Sequence, residues 1–398
     1  MKAVEYSNEK LRDHSSESVK NRGSIDLPFL IITLLLLTIG VIMVLSASFA
    51  RAYYDGNNAT YYFSRQLFFA VSGVVIMFAA SSFPIGFYRR ISSVLMLITV
   101  GFLVLVLVAG TEANGARRWF QIGTITSFQP SEIAKLAVIL FEAQLICRFG
   151  DKMSTFKHGV IPFAIVVAVI DGLLILEPHL SASIIIFAVT AIMMFVGGTK
   201  LIWFLVFGGG AAALVTIFVS VMSYSSDRIS AWLDPFADPS DTGFQIIQSL
   251  YAIGSGGLTG LGLGQSRQKY LYLPEEHNDY IFAVICEELG FIGAVLILCL
   301  FALLIIRGYW LALHCRDRYS FFVCTGIVSL LAIQVFLNIA VVTNLVPSTG
   351  ISLPFFSYGG TALWIQLAEM GIVLSISRDI PEKKNTVRER KPADSEKA

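Results

Sequence analysis

Long apolar runs separated by short polar segments dominate this chain. A helix needs about 20 apolar residues to cross the hydrocarbon core of a bilayer. Runs near that size fall at 28–48, 67–84, 91–110, 130–148, 159–176, 181–198, 201–223, 280–306, 320–344 and 352–377. A barrel strand would be half as long and would alternate, and in runs this continuous only a helix satisfies every backbone group inside lipid. The pattern predicts an all-α integral membrane protein of about ten transmembrane helices. Polar, mixed-charge sequence flanks the runs: a short segment over 1–26, one polytopic domain over 27–378, and a disordered tail over 379–398. Residues 1–26 lack the apolar core and small-residue cleavage site of a removable signal peptide.

Composition agrees with a lipid solvent: 55% of the 398 residues are hydrophobic and only 14% charged, with a mean hydropathy of +0.71. A formal net charge of +1 provides no global basic field to gather nucleic acid. The five cysteines lie in or beside apolar runs without ligand spacing, so neither a disulfide framework nor a zinc site is indicated. The basic residues fix the expected orientation, because Lys and Arg concentrate in cytoplasmic loops. With the N-terminus inside, 21 of the 29 fall on the cytoplasmic side and seven outside, with Lys135 inside a span. Both termini are therefore expected in the cytoplasm, with a large extracellular loop at 224–279 between the seventh and eighth spans.

Several residues do not suit plain membrane helices. Asn114-Gly115-Ala116-Arg117-Arg118-Trp119-Phe120 follows the third span, and Gln129-Pro130-Ser131-Glu132 opens the fourth. Glu132, Lys135 and Glu142 fall within about 80° of one another on a helical wheel. Either they form an ion pair that fixes packing, or they line a charged cavity, because ionisable groups in a span must face the bundle interior or water. Arg117, Arg118 and Trp119 read as interfacial anchors or as partners for a phosphate or pyrophosphate group, which paired guanidinium groups suit. In the large loop, Phe244, Ile247 and Tyr251 mark a short amphipathic helix over 243–252 lying along the membrane surface. Six glycines follow within 254–264 without a Walker-type lysine. The loop ends in Leu273-Pro274-Glu275-Glu276-His277-Asn278-Asp279-Tyr280, with Glu287 and Glu288 in the span beyond. Asn278 or Asp279 could cap that helix. The helix dipole would lower a carboxylate pKa there, and burial would raise it. Gln334 and Asn338 share a face of the ninth span, and the prolines and glycines of 347–360 argue for a broken or re-entrant start to the tenth.

Together these segments resemble the SEDS family of bacterial cell-wall proteins over about residues 28–377. The resemblance rests on Asn114–Phe120, Gln129–Leu136, Phe244–Gly254, Gly260–Lys269, Tyr272–Ala283, Cys286–Gly293 and Pro347–Gly360. The stretch Gly264-Gln265-Ser266-Arg267-Gln268-Lys269-Tyr270-Leu271-Tyr272-Leu273-Pro274-Glu275 is more similar to the FtsW and SpoVE branch than to the RodA branch. Membership implies a peptidoglycan glycosyltransferase that polymerises lipid II at the outer face of the bacterial cytoplasmic membrane, in septal division or sporulation. Further implied are a class B penicillin-binding protein as transpeptidase partner and divisome or spore-septum proteins around it. The family's catalytic carboxylate falls on Asp279, its tryptophan on Trp119 and its membrane lysine on Lys135. His277-Asn278-Asp279-Tyr280 replaces His-Thr-Asp-Phe, and Gly359-Gly360-Thr361-Ala362 replaces Gly-Gly-Ser-Ser. Glu177-Pro178-His179-Leu180-Ser181 stands where Gln-Pro-Asp-Leu-Gly is common, leaving open whether Glu177 takes over from the missing Asp.

On this reading Asp279 is the general base on the acceptor hydroxyl. Arg117, Arg118, Trp119, Glu132, Lys135, His277, Asn338, Ser357 and Tyr358 are candidate substrate contacts. Arg117, Arg118 and Lys135 would stabilise charge on the departing undecaprenyl pyrophosphate. No metal site is marked, although a divalent cation could share that work. The rival readings are a lipid II flippase and a non-enzymatic septal scaffold.

Overall fold

The computed structural model describes residues 23–56, 58–113, 116–122, 126–205, 208–209, 228, 230–240 and 243–380. In order these form α1 (Leu27–Tyr54), α2 (Tyr61–Ser82), α3 (Ile85–Ala109), β1 (Thr111–Ala113), β2 (Ala116–Ile122), β3 (Thr126–Phe128) and α4 (Pro130–Phe149). After a 3₁₀ turn (Gly150–Ser154) and one helical turn (Phe156–Gly159) come α5 (Ile161–Leu176), α6 (Leu180–Val196), α7 (Phe244–Gly256), α8 (Ile281–Leu313), α9 (Arg318–Val342) and α10 (Gly360–Ser377).

Among the described residues, seven helical segments are long and apolar enough to cross a membrane: α1, α2, α3, Phe156–Leu176, α8, α9 and α10. Helix α6 has only 17 residues, and α4 carries Glu132, Lys135, Glu142 and Arg148. Nine of the ten expected spans thus have a described helix, and the seventh, 201–223, lies mostly outside the described residues. So do most of the polar terminal segments. Helices α9 and α10 are 72% buried over their apolar windows, whereas α2, α3 and α8 are 28% buried. The first two form the centre, and the others present Val71, Leu97, Val108 and Leu296 outward, as lipid-facing helices must. The structure also departs from an all-helical chain: the segment after α3 pairs as a three-stranded antiparallel sheet in the order β1-β2-β3.

Both termini of the described bundle lie at one end. The Gly23 amide donates to the Arg378 carbonyl at 2.9 Å, the Asp26 amide to Ser377 Oγ at 3.0 Å, and Arg307 Nε to Asp26 Oδ1 at 3.0 Å. Because these helices run alternately up and down, the α1–α2, α3–α4, α5–α6 and α9–α10 connections gather at the opposite end.

Helix α7 confirms the amphipathic pattern but not its expected use. Ile246, Ile247 and Ala252 are buried while Tyr251 is exposed, and Ser249 Oγ donates to the Val342 carbonyl at 2.8 Å. Its apolar face packs on the bundle rather than on lipid. The glycine run beyond it fits a break in α8. Gly290 has φ 68° and ψ −171°, which interrupts the helical ladder. The loop makes up the lost bonds: Leu261 N to Glu287 O at 3.0 Å, Gly262 N to Glu288 O at 3.0 Å, Phe291 N to Gly257 O at 2.9 Å and Ile292 N to Leu258 O at 3.1 Å. A Cβ on Gly290 would lie 2.2 Å from the Gly260 nitrogen. Gly290→Ala is therefore expected to cost about 2 kcal/mol or more, from left-handed strain and lost close approach, measured as a lower unfolding temperature in detergent.

Candidate functional site

At the end of the bundle away from the termini, a cavity of about 590 Å³ opens between β2, the starts of α2 and α4, the α5–α6 junction, the approach to α8 and the α9–α10 segment. Its wall carries Arg65, Arg118, Trp119, Glu132, His179, Arg228, Glu275, Asp279, Ser357 and Tyr358.

The α9–α10 segment is non-helical from 347 to 359, and side chains from the surrounding helices satisfy its backbone. Asn338 Nδ2 donates to the Ile351 carbonyl at 2.6 Å and to the Asp279 carbonyl at 2.8 Å. The Phe355 amide donates to Gln366 Oε1 at 2.9 Å, and Gln66 Nε2 to the Ser357 carbonyl at 3.3 Å. Ser357 Oγ reaches the Asn278 carbonyl at 2.8 Å, and the Tyr358 amide the His277 carbonyl at 2.9 Å. These bonds stitch the broken start of α10 to the approach of α8, as non-helical backbone at membrane depth requires.

Asp279 is held by this stitching through its backbone, which leaves the carboxylate free to line the cavity. Tyr280 occupies the N-cap position of α8, and no side chain makes a capping bond there; neither Asn278 nor Asp279 caps the helix. Burial pushes the Asp279 pKa up to about 6; Glu275 adds to the rise, and Arg228, His277 and Arg118 oppose it. The side chain is thus mostly ionised at neutral pH yet basic enough to accept a proton, the range in which a general base works best. Gly350 approaches it closely, with φ 69° and an added Cβ 3.2 Å from Asp279 Oδ2. Gly350→Ala is expected to lower turnover by about tenfold, by displacing the carboxylate and straining the backbone, as read from polymerisation rates.

The arginines are arranged differently from the sequence reading. Arg117 pairs with Glu112 at 3.5 Å, both more than half exposed, and does not line the cavity. Arg118 does: its Nε donates to the Glu177 carbonyl at 3.0 Å and its Nη2 to the Pro178 carbonyl. Two cations that sequence spacing had not singled out join it, Arg65 from α2 and Arg228, whose Nη1 donates to the Ser348 carbonyl at 2.5 Å. Lys135 sits 2.8 Å from Glu132, on a small separate pocket of about 30 Å³ that shares Glu132, Ser357 and Tyr358 with the wall of the cavity. His277 is buried and packs against both Tyr62 and Tyr358, with ring centroids 4.6 and 5.8 Å away. His277 and Asn338 therefore support the wall without forming it.

The unusual Glu177-Pro178-His179 stretch borders the cavity. His179 lines it, and burial, with Arg118 and Lys135 nearby, pulls its pKa down to about 3, so the ring is neutral. Glu177 is buried with both carboxyl oxygens unpartnered, and burial pushes its pKa up to about 8 despite Arg118. Burial favours its protonated form, and it does not line the cavity, so Glu177 brings no carboxylate to the wall in place of the family Asp. Among the described residues, no three His, Cys, Asp or Glu side chains converge as a metal site requires.

Comparison with known proteins places this architecture. The cell cycle protein family of FtsW, RodA and SpoVE matches residues 27–381. The chain is 45% identical to stage V sporulation protein E of Bacillus subtilis, covering 90% of this chain and 98% of that one. It is 40% identical to a probable peptidoglycan glycosyltransferase FtsW of Trichlorobacter lovleyi, over 88% and 93% of the two chains. Among solved structures, a chain of a peptidoglycan synthase complex that coordinates polymerization and crosslinking superposes with a TM-score of 0.75 at 30% identity, covering 89% of this chain and 98% of that one. The rod shape-determining protein RodA of Thermus thermophilus gives 0.67 at 28% identity, over 90% and 98%.

Proposed function

We propose, from the premise that this chain belongs to the FtsW, RodA and SpoVE family of cell cycle proteins, that it is a peptidoglycan glycosyltransferase that polymerises lipid II. The observation that carries this reading is the Asp279 carboxylate on the wall of a large cavity that also bears Arg65, Arg118 and Arg228, where burial pushes its pKa up to about 6. Asp279 removes the proton from the acceptor sugar hydroxyl. The resulting oxygen nucleophile attacks the anomeric carbon of the growing chain and expels undecaprenyl pyrophosphate. Negative charge grows on the departing phosphates, where fixed guanidinium groups stabilise the transition state most effectively.

The chain is a multi-pass membrane protein. The distribution of basic residues supports both termini in the cytoplasm, which puts the cavity at the outer face of the bacterial cytoplasmic membrane. The sporulation and FtsW relatives support work at the septum, beside divisome or spore-septum proteins. The superposed chain belongs to a synthase complex that coordinates polymerization and crosslinking, which supports a partner that supplies crosslinking here, a class B penicillin-binding protein. Purified with such a partner and given labelled lipid II in detergent, the protein should yield a ladder of glycan polymers. Detergent removes sidedness, so a flippase or scaffold would yield none, and an intact pair that makes no polymer would overturn the reading.

A further inference from the structure

The acids Glu287 and Glu288 stand in α8 with no exposed surface and are far more heavily bonded than packing requires. Ser266 Oγ donates to Glu287 Oε2 at 2.5 Å, the Arg267 amide to Glu287 Oε1 at 2.9 Å, and the Gln268 amide to Glu287 Oε2 at 3.4 Å. Glu288 Oε1 accepts from Lys269 Nζ at 2.9 Å and from the Ser266 amide at 3.2 Å. Its Oε2 accepts from Ser46 Oγ of α1 at 2.6 Å. Lys269 is 2% exposed, and its Nζ also donates to the Gly264 carbonyl at 2.6 Å. One lysine and two glutamates are stable in such a buried place only when nearly every donor and acceptor is matched.

These bonds close the chain into a loop. Residues 266–269 and 287–288 form its neck, and Asp279 lies between them. The neck is also spliced to the break in α8 by the Leu261 and Gly262 amides, so the acids cannot shift without moving the glycine run. On the far side of the loop, Asn338 holds the Asp279 carbonyl. The backbone that carries the carboxylate is thus tied from α9 at one point and, through the neck, from α1 and α8 at another.

We propose that Lys269, Glu287 and Glu288 are positioning residues for the transfer reaction: they pin the neck of the loop that carries Asp279 and hold its carboxylate against the cavity wall. The inference rests on the role of Asp279 given above, and its test separates the two. The full chain with its transpeptidase partner is compared as wild type, Lys269→Met, Lys269→Arg and Ser266→Ala by amide hydrogen exchange and by lipid II polymerisation across pH. In Lys269→Met, exchange over residues 264–280 should accelerate while the central helices α9 and α10 stay protected. Turnover should fall by about tenfold to a hundredfold with KM within about twofold, because small displacements of a reacting group are costly. The acid midpoint of the rate profile should move from near 6 toward the ordinary aspartate range as Asp279 meets water, the balance among burial, Glu275, Arg228, His277 and Arg118 being disturbed. Lys269→Arg should recover much of the loss. Ser266→Ala should show the same shifts at smaller size and serves if Lys269→Met fails to fold. Unchanged exchange, or turnover that falls only with the folded fraction while the acid midpoint stays put, would overturn the proposal. If the wild-type pair makes no glycan, the enzymatic reading fails and the exchange comparison still decides whether the neck is pinned.

Discussion

Asp279→Asn should lower glycan polymerisation by a factor of about 10² to 10⁴, the usual contribution of a positioned general base, without loss of the folded protein. The amide has almost the same shape as the carboxylate but cannot accept the proton. The native bonds at this position are made by the backbone: the Asp279 carbonyl accepts from Asn338 at 2.8 Å, and the carboxylate makes no hydrogen bond among the described residues. Removing a partly desolvated charge at a site whose pKa burial has already raised relieves folding rather than burdening it. The expected pattern is a wild-type unfolding temperature with turnover nearly abolished. Asp279→Glu should recover little, because the longer side chain runs into the space beside Gly350, where an added Cβ would lie only 3.2 Å from Asp279 Oδ2.

Arg228→Ala should reduce turnover by about 10² to 10³, the range seen when one preorganised donor to developing negative charge is removed. Arg228 lines the cavity, bonds the Ser348 carbonyl at 2.5 Å, and is among the cations that oppose the rise of the Asp279 pKa. Arg228→Lys should recover part of the rate, since an ammonium keeps the charge but not the bidentate geometry. Arg117 provides the contrast: its pair with Glu112 is exposed, and exposed pairs are worth about 0–1 kcal/mol. Arg117→Ala should stay within about twofold of wild type. Initial rates of the three variants, measured at saturating lipid II, test whether Arg228 contributes to the reaction and Arg117 does not.

The contrast between those arginines marks what the sequence made legible. Apolar runs define the helices because lipid leaves no alternative, and the Pro347–Gly360 segment betrayed the broken start of α10 because its prolines and glycines cannot continue a helix. Asp279 was reachable through the run of segments around it. Arg117 reads as a partner of Arg118 because the two are adjacent in sequence, and adjacency says nothing about which side chains share a cavity assembled from distant parts of the chain. Asn338 and His277 look like contacts for a substrate, yet the first holds backbone carbonyls and the second is packed against two tyrosines. The glycines at 254–264 suggested tight turns; their close approach answers a break at Gly290, and no local pattern couples two positions 30 residues apart.

The most direct test is the rate of lipid II polymerisation in detergent from pH 5 to pH 8, with wild type and Asp279→Asn measured side by side in complex with the partner transpeptidase. A base with its pKa near 6 is fully available above that value and is lost as protons fill it below. The wild-type rate should therefore rise with pH through a midpoint near 6 and then level, while Asp279→Asn remains low and flat. A wild-type midpoint that persists in Asp279→Asn, or a variant that polymerises as fast as wild type, would contradict Asp279 as the base.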